Sequence, residues 1–454
     1  VTIDGSTGKA TALPIDRTAK GSSAAQAILS SAGARVAVLP LTGVCSILTA
    51  RLVTDAYGVD GYAIFSLIAA LPFLFPFIDL GVGAAVANAA GALPARAQEY
   101  RETLTRARRV LLLVGASVLL AVFGIAVLGA WPTLTGLPDS ATVNWGIAGA
   151  MVLFAVAVPG SLGHSMLFGM RKNSWSVWIQ GLGPPITLLL VFAATIWAPT
   201  IFAALVATTA GILVSHWVAT AVASRVGVAR DARRAAQATP RGTTRVVLWA
   251  TAWPMLIVSL SLPVSFQTGR LVLSWQATLG DVAVYSAAMV AFLPVFSIAQ
   301  VAGQSLWGEF AGARARSESG AAEYLTGLKI VALVGLTGAA GLVVFGPWLS
   351  GLAVNNAVQF PPELFWILGA TVLIQALYIP SGMYLTDAPG LRFQALFAVL
   401  MGVFVLSASA LTAGPLGVTG VALSLLCGIV VFQLVPGTIR VLVFIGRHDG
   451  NDPA

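Results

Sequence analysis

"RLVTDAYGVDGY" (residues 51–62) holds one arginine, two aspartates and two glycines between two long apolar runs, and its first three letters return at Arg270–Val272. On either side of it the chain is 57% apolar and only 9% charged over 454 residues, far below the ~25% charged share of a soluble domain. A core large enough to hide so much apolar side chain does not exist at this length. The runs themselves, mostly some 18–30 residues with few charges, read as membrane-spanning helices. Residues 51–62 are therefore a turn at a membrane face, and the fold class follows: an all-α integral membrane protein.

Twelve apolar segments can be laid out. The first six cover 33–54, 61–90, 110–131, 142–169, 175–197 and 200–222. The second six cover 246–273, 281–310, 328–350, 363–384, 391–412 and 417–444. Between them the charges sort by side. With the N-terminus placed in the cytoplasm, 23 of the 25 Lys and Arg fall on the cytoplasmic side, while Asp55, Asp60, Asp139, Asp281 and Glu363 fall on the other. Such asymmetry predicts both termini inside. It also accounts for the net charge of +8 without nucleic acid, because the basic residues sit in short blocks between spans. The exceptions are Arg51 and Arg270.

Those two arginines stand 219 positions apart, and other features repeat at nearly the same shift. Phe65-Ser66 returns as Tyr285-Ser286, Gly83 as Gly303, Arg109 as Lys329, and Gly169 with Arg171 as Gly390 with Arg392. Each half has an even number of spans, so a duplication would give two six-helix bundles running the same way, related about the membrane normal. The expected organisation is a disordered cytoplasmic tail over 1–32, a first bundle over 33–224, a polar linker over 225–245, a second bundle over 246–444 and a short tail over 445–454. The stretch 93–109 reads either as an amphipathic helix on the inner surface or as a solvated basic loop.

Ionisable groups inside spans cost at least ~2.5–3.5 kcal/mol at a helix centre and need a reason. Asp79 lies about 27 Å along the second span from Gly61, in the inner half of the membrane. It is either a site for a proton, a cation or a polar headgroup, or an acceptor for backbone freed near Pro76. Arg51 stands about 24 Å from Arg35, near the outer interface. With Arg270 it either lines an opening as an anion contact or pairs locally with Asp55 or Asp60. Gln300 and Gln304, at i and i+4 on one face of the eighth span, could bond a ligand's hydroxyls together. Gln180, Gln267, Gln276, Gln375 and Asn88 also interrupt apolar helices, where amides equally tie helices to one another. His164 and His216 stand singly, without an acid or second histidine at ligand spacing, so no metal is expected. Cys45 and Cys427 read as buried thiols, and Glu309 as interfacial. No phosphate-binding loop is present and no cofactor is expected.

The segment "RLVTDAYGVDGYAIFSLIAALPFLFPFIDLGVGAAVANAAG" (51–91), with its Asp79-Leu80-Gly81 step, and "LFGMRKNSW" (167–175) resemble the polysaccharide transporters, the flippases of O-antigen and other lipid-linked oligosaccharides. The resemblance implies the multidrug, oligosaccharidyl-lipid and polysaccharide exporter fold, a V-shaped pair of bundles around a central cavity in a bacterial cytoplasmic membrane. It implies a glycan on a polyprenyl pyrophosphate as substrate, Arg51 and Arg270 as cations for its anionic head, and Asp79 beside it. Membrane lipids, and glycosyltransferases or a glycan polymerase, would be its neighbours. Many members carry a more cationic cavity than this chain offers. Two other readings stand. A drug or metabolite antiporter of the same fold would suggest an acid in the first span, and 33–54 has none. A membrane glycan polymerase or acyltransferase needs an acid–base constellation, and the longest outer loop, about 349–362 in "SGLAVNNAVQFPPE", carries one acid and no His, Cys or Lys.

Overall fold

The computed structural model describes residues 17–74, 82–91, 93, 97–170, 172–197, 200–234, 249–304, 306, 310 and 319–449, among which there is no β-strand. Helix α1 runs Arg17–Ala70 and continues as a 3-10 turn, Leu71–Leu74. Its apolar part, Gly33–Leu74, has 42 residues and would reach about 63 Å as one rod, twice the hydrocarbon thickness. Gly58 divides it with a left-handed φ of 75° that an L-residue would hold only under strain. Gly417, at φ 54°, divides α15 (Ala388–Ile429) in the same way. The predicted turns between the first and second spans, and between the eleventh and twelfth, are thus each built on one glycine.

The second span closes with α2 (Val82–Gly91). Then come α3 (Ala97–Val127), the short α4 (Trp131–Thr135), α5 (Ala141–Ala157), a 3-10 turn at Val158–Ser161, α6 (Leu162–Gly169), α7 (Asn173–Gln180), α8 (Gly183–Trp197), α9 (Ile201–Ala207) and α10 (Ala210–Arg234). The second half has α11 (Trp249–Gln276), α12 (Leu279–Gln304), α13 (Ala321–Ala353), α14 (Pro362–Tyr384), α15, a π turn at Val430–Leu434 and α16 (Val435–Asp449). Among the described residues nine segments are long and apolar enough to cross a bilayer. Two of them are the runs cut by Gly58 and Gly417, and α11, with 28 residues, supplies a further crossing. The twelve-span plan of a multi-pass membrane protein follows.

Four boundaries differ from the sequence reading. α1 is helical from Arg17, where a disordered tail was expected through residue 32. No proline interrupts 17–39, and its Ala- and Ser-rich run carries helix past the apolar part. Residues 97–109 are neither a separate surface helix nor a loop but the first turns of α3. α10 continues to Arg234, into the expected linker, and α16 to Asp449, into the expected tail.

The fourth, fifth and sixth spans are each broken, and the sixth supplies donors to the break in the fourth. Pro159 has no N–H, and the helix tightens there into the 3-10 turn. Three α10 side chains then take carbonyls at that break: Trp217 Nε1 donates to Val156 O (3.1 Å), His216 Nδ1 to Ala157 O (3.1 Å) and Thr220 Oγ1 to Gly160 O (2.7 Å). Broken backbone at membrane depth survives because side chains replace the missing helical donors.

The distribution of the core makes the V. At the end carrying the acidic turns, one continuous core joins both halves: Val53, Leu67 and Ile147 pack in the same cluster as Val272, Phe292 and Phe365. At the basic end the cores are separate. One holds Val86, Leu111 and Met166 of the first half, and another Phe310, Tyr324 and Val441 of the second. The acidic rim is also tied by polar contacts between halves. Asn355 Nδ2 donates to Asp55 Oδ1 at 2.9 Å, and Ser274 Oγ to Thr135 O at 2.6 Å. The duplicated serines meet near the axis: Ser66 Oγ and Ser286 Oγ are hydrogen-bonded at 2.8 Å, both buried. Residues equivalent in two repeats can touch only where the axis passes between them.

Candidate substrate cavity

A cavity of about 680 Å³ lies between the halves. Helix α1 gives it Thr42, Ser46 and Thr49. The broken spans of the first half add Gln180, Thr187 and His216. The second half closes it with Arg270 on α11 and with Leu293, Pro294 and Ser297 on α12. Hydroxyls and amides interrupt walls that are otherwise apolar, the usual constitution of a ligand pocket.

Arg270 is the cation of this cavity among the described residues. It is 8% exposed, and its Nη1 donates to Ser66 O at 3.1 Å. Its Nε has no partner, and no carboxylate pairs with it among the described residues. Tyr62 and Tyr285, both buried, lie within electrostatic range. A guanidinium taken out of water without a counter-ion costs several kcal/mol, and donors left unused on the cavity side are what an incoming anion would complete.

Arg51 does not share that environment. It is 46% exposed, absent from the cavity lining and 3.7 Å from Asp55 at i+4. The expectation that the two arginines line one opening is corrected: the local ion pair holds for Arg51. The physical reason is one helical turn away in each helix. Arg51 has Asp55 at i+4, whereas Arg270 has Ser274, whose hydroxyl lies within hydrogen-bond reach of Thr135 O and Leu271 O and carries no charge.

Asp79 lies outside the described residues, as do Pro76 and Glu309, and the side chains of Gln304 and Asn88 are likewise not described. Gln300 is half-buried on α12 and not in the cavity wall. Gln267 and Gln375 are buried with an unpartnered Oε1 each, and Gln276 is exposed. Of the amides, Gln180 is the one the fold brings to the cavity. Cys45 is buried as expected, but Cys427 is exposed on the outer surface of the bundle.

The histidines are not single. His164 on α6 and His216 on α10 meet edge to face, with ring centroids 5.3 Å apart. His164 Nδ1 is 2.8 Å from Ser176 Oγ, which also accepts from Gln180 Nε2 at 3.2 Å. His164 Nε2 is buried without a partner. Fifty-two residues separate the two histidines, so no spacing rule along one helix could have joined them. His164 does sit in a span broken at Pro159, where helices bend toward a cavity, whereas the span of His216 breaks at Thr208–Thr209 without Gly or Pro. Among the described residues no three His, Cys, Asp or Glu side chains gather as a metal site.

The architecture is similar to solved transporters. An inward-facing multidrug resistance MATE family transporter of the MOP superfamily superposes with a TM-score of 0.63 at 15% identity, covering 93% of this chain and all of the other. A MOP superfamily transporter from Pyrococcus furiosus, described as having a binding pocket of reverse polarity, gives 0.61 at 13% identity, covering 93% and 96%. The lipid II flippase MurJ in an inward closed conformation gives 0.61 at 13% identity, covering 94% and 88%. At these identities the likeness is one of fold. None of the curated proteins matches in sequence. A model of the family described as polysaccharide biosynthesis protein matches residues 24–305, more than half of the chain, and the chain belongs to that family.

Proposed function

We propose that the protein is a flippase that moves a polyprenyl-pyrophosphate-linked oligosaccharide across a bacterial cytoplasmic membrane for surface polysaccharide biosynthesis. The termini would be cytoplasmic, as the positive-inside asymmetry predicts, and the described arrangement, joined at the acidic rim, would then be open inward. The observation that carries the reading is Arg270. A buried guanidinium with free donors in a cavity lined by hydroxyls and amides suits a pyrophosphate followed by sugars. The fork would hold the phosphate oxygens, the polar wall would take sugar hydroxyls, and the prenyl tail would stay in lipid. The halves would rock about the Ser66–Ser286 contact to expose the head on the other face. Membership of a polysaccharide biosynthesis family, and a fold also carried by a lipid II flippase, support this. Asp79 stays in the proposal as a polar or ion-coupling element beside the head, and glycosyltransferases would supply the substrate.

A drug antiporter of the same fold remains the second reading, since multidrug transporters share the architecture. A cationic drug is opposed by Arg270, and no acid lines the described cavity wall to receive it.

The test is translocation of lipid-linked oligosaccharide in proteoliposomes. Arg270→Ala should lose at least tenfold in rate and Arg270→Lys should recover part of it. Arg51→Ala, removing an exposed pair worth ~0.5 kcal/mol or less, should stay near wild type. Wild-type translocation by a folded Arg270→Ala protein would remove the anion reading.

A further inference from the structure

The cluster His164, Ser176, Gln180 and His216 has a hydrogen-bond order that can be worked out atom by atom. Ala157 O can only accept, so His216 carries its proton on Nδ1 and keeps a lone pair on Nε2. His216 lines the cavity, and Nε2 is the nitrogen left for it. Gln180 Nε2 donates to Ser176 Oγ, and the serine's one proton, which finds no other acceptor among the described residues, is assigned to His164 Nδ1. His164 therefore carries its proton on Nε2, which is buried and has no acceptor. One ring offers a free basic nitrogen to the cavity. The other stands 5.3 Å behind it in the opposite tautomer, tied through Ser176 to a second cavity side chain.

We propose that this cluster is a proton-binding site of the cavity, holding one proton between the two rings, with His216 Nε2 as its point of entry. The proton comes from cavity water and returns to it. Among the described residues no other titratable side chain occupies the elements packed on the cluster: α2, α5, α8, α9 and the 158–161 turn carry none, α6 and α7 only His164, and α10 only His216 and, at its far end from Arg225 onward, several arginines with Asp231. Helix α1 brings Arg35, Cys45, Arg51, Asp55, Tyr57, Asp60 and Tyr62, of which Tyr62 lines the cavity, and α11 brings Arg270. At 5.3 Å, with an effective dielectric of ~20, a second proton binds on the order of a hundredfold more weakly than the first. The loaded site adds positive charge to a cavity whose described wall otherwise has Arg270 alone. Proton and anion binding consequently strengthen each other, and by linkage equally in both directions.

The test uses the full chain in nanodiscs with 15N-labelled histidine, and His448→Gln to leave only the two rings. At pH 8 the spectrum should show one Nδ1–H and one Nε2–H tautomer. Lowering the pH should load one proton on the pair well before the second. Inorganic pyrophosphate should move the first loading to higher pH in the wild type and not in Arg270→Ala. His216→Asn keeps a donor for Ala157 O and should abolish the first loading. Two independent titrations, no uptake down to pH 4 in the folded protein, or unchanged uptake in His216→Asn would each overturn the site. The proton readout needs no glycan, so a failed flippase assay with an intact proton step would refute the substrate and leave the site standing.

Discussion

Gly136→Ala should open the acidic rim. Gly136 ends α4 at φ 65° and lies against α11 of the other half. A Cβ there would collide with Trp275 Cδ1 and come within 2.6 Å of Ser274 O, against an ordinary contact of about 3.4 Å, so the α11 backbone must retreat by roughly 0.8 Å. Overpacking of this kind costs about 1–3 kcal/mol, and it weighs only on the state in which the rim is shut. The equilibrium between shut and open rim should therefore shift by roughly 5- to 150-fold toward open. The left-handed backbone adds ~1–2 kcal/mol of strain in both states. Gly129→Ala isolates that part, because Gly129 has φ 66° and nothing within 4 Å of a Cβ. Spin labels at residues 139 and 276, on a background without Cys45 and Cys427, report the gap by pulsed electron resonance. A longer distance should appear with Gly136→Ala and not with Gly129→Ala, while both lower the melting temperature. Identical distance distributions in the two variants would show that this contact does not hold the halves together.

Two further outcomes follow from buried hydrogen bonds. In a double-mutant cycle of Ser66→Ala and Ser286→Ala, the coupling energy from unfolding in lipid or detergent should be about 0.6 kcal/mol, the average for hydrogen bonds between membrane helices. Gln394→Leu should lower stability by about 2–4 kcal/mol. It strands Gly382 O and Leu385 O, which accept from Nε2 at 3.1 and 2.7 Å, together with the Tyr378 hydroxyl at 3.0 Å. Thermal unfolding should register this as one of the larger losses for a polar replacement.

Span number and turn position were legible because a bilayer imposes a length, and a run of about twenty apolar residues meets that length whatever its packing. The repeat was legible because several matches, each weak alone and Ser66 with Ser286 among them, share one shift of about 220. What could not be read was what sequence distance hides. The break at Thr208 resembles ordinary apolar helix, and only the packing of α10 on the broken fourth span shows where His216 goes. The helical reach of 17–32 is not legible, and 97–109 is legible only as either helix or loop, because a polar helix satisfies its backbone as well in water as in lipid, and hydropathy does not mark its end. Arg51 was readable in principle: an acid at i+4 is its neighbour on the helix surface and attracts it.

The fate of the two arginines bears on how a duplicated frame acquires a direction. A perfect two-fold places equivalent cations on both sides of the axis, and a ligand with one anionic end would then bind in two orientations equally. Here the frame keeps its symmetry where it is structural, at Ser66 and Ser286. It loses symmetry where a ligand would sit. Asp55 draws Arg51 out to the surface, Ser274 leaves Arg270 in the cavity, and the histidine pair and Gln180 come from the first half alone. The result is a cavity with a cation on the α11 wall and acceptors on the α7 and α10 wall. A lipid-linked glycan, charged at one end and rich in hydroxyl donors along the other, is directional in the same sense. Transplanting the asymmetry by Asp55→Ser with Ser274→Asp should therefore draw Arg270 outward, and it should abolish anion-dependent proton uptake while leaving the twelve-span fold intact. Retained uptake in that double variant would show that Arg270 is held by the cavity and not by the absence of an acid one turn away.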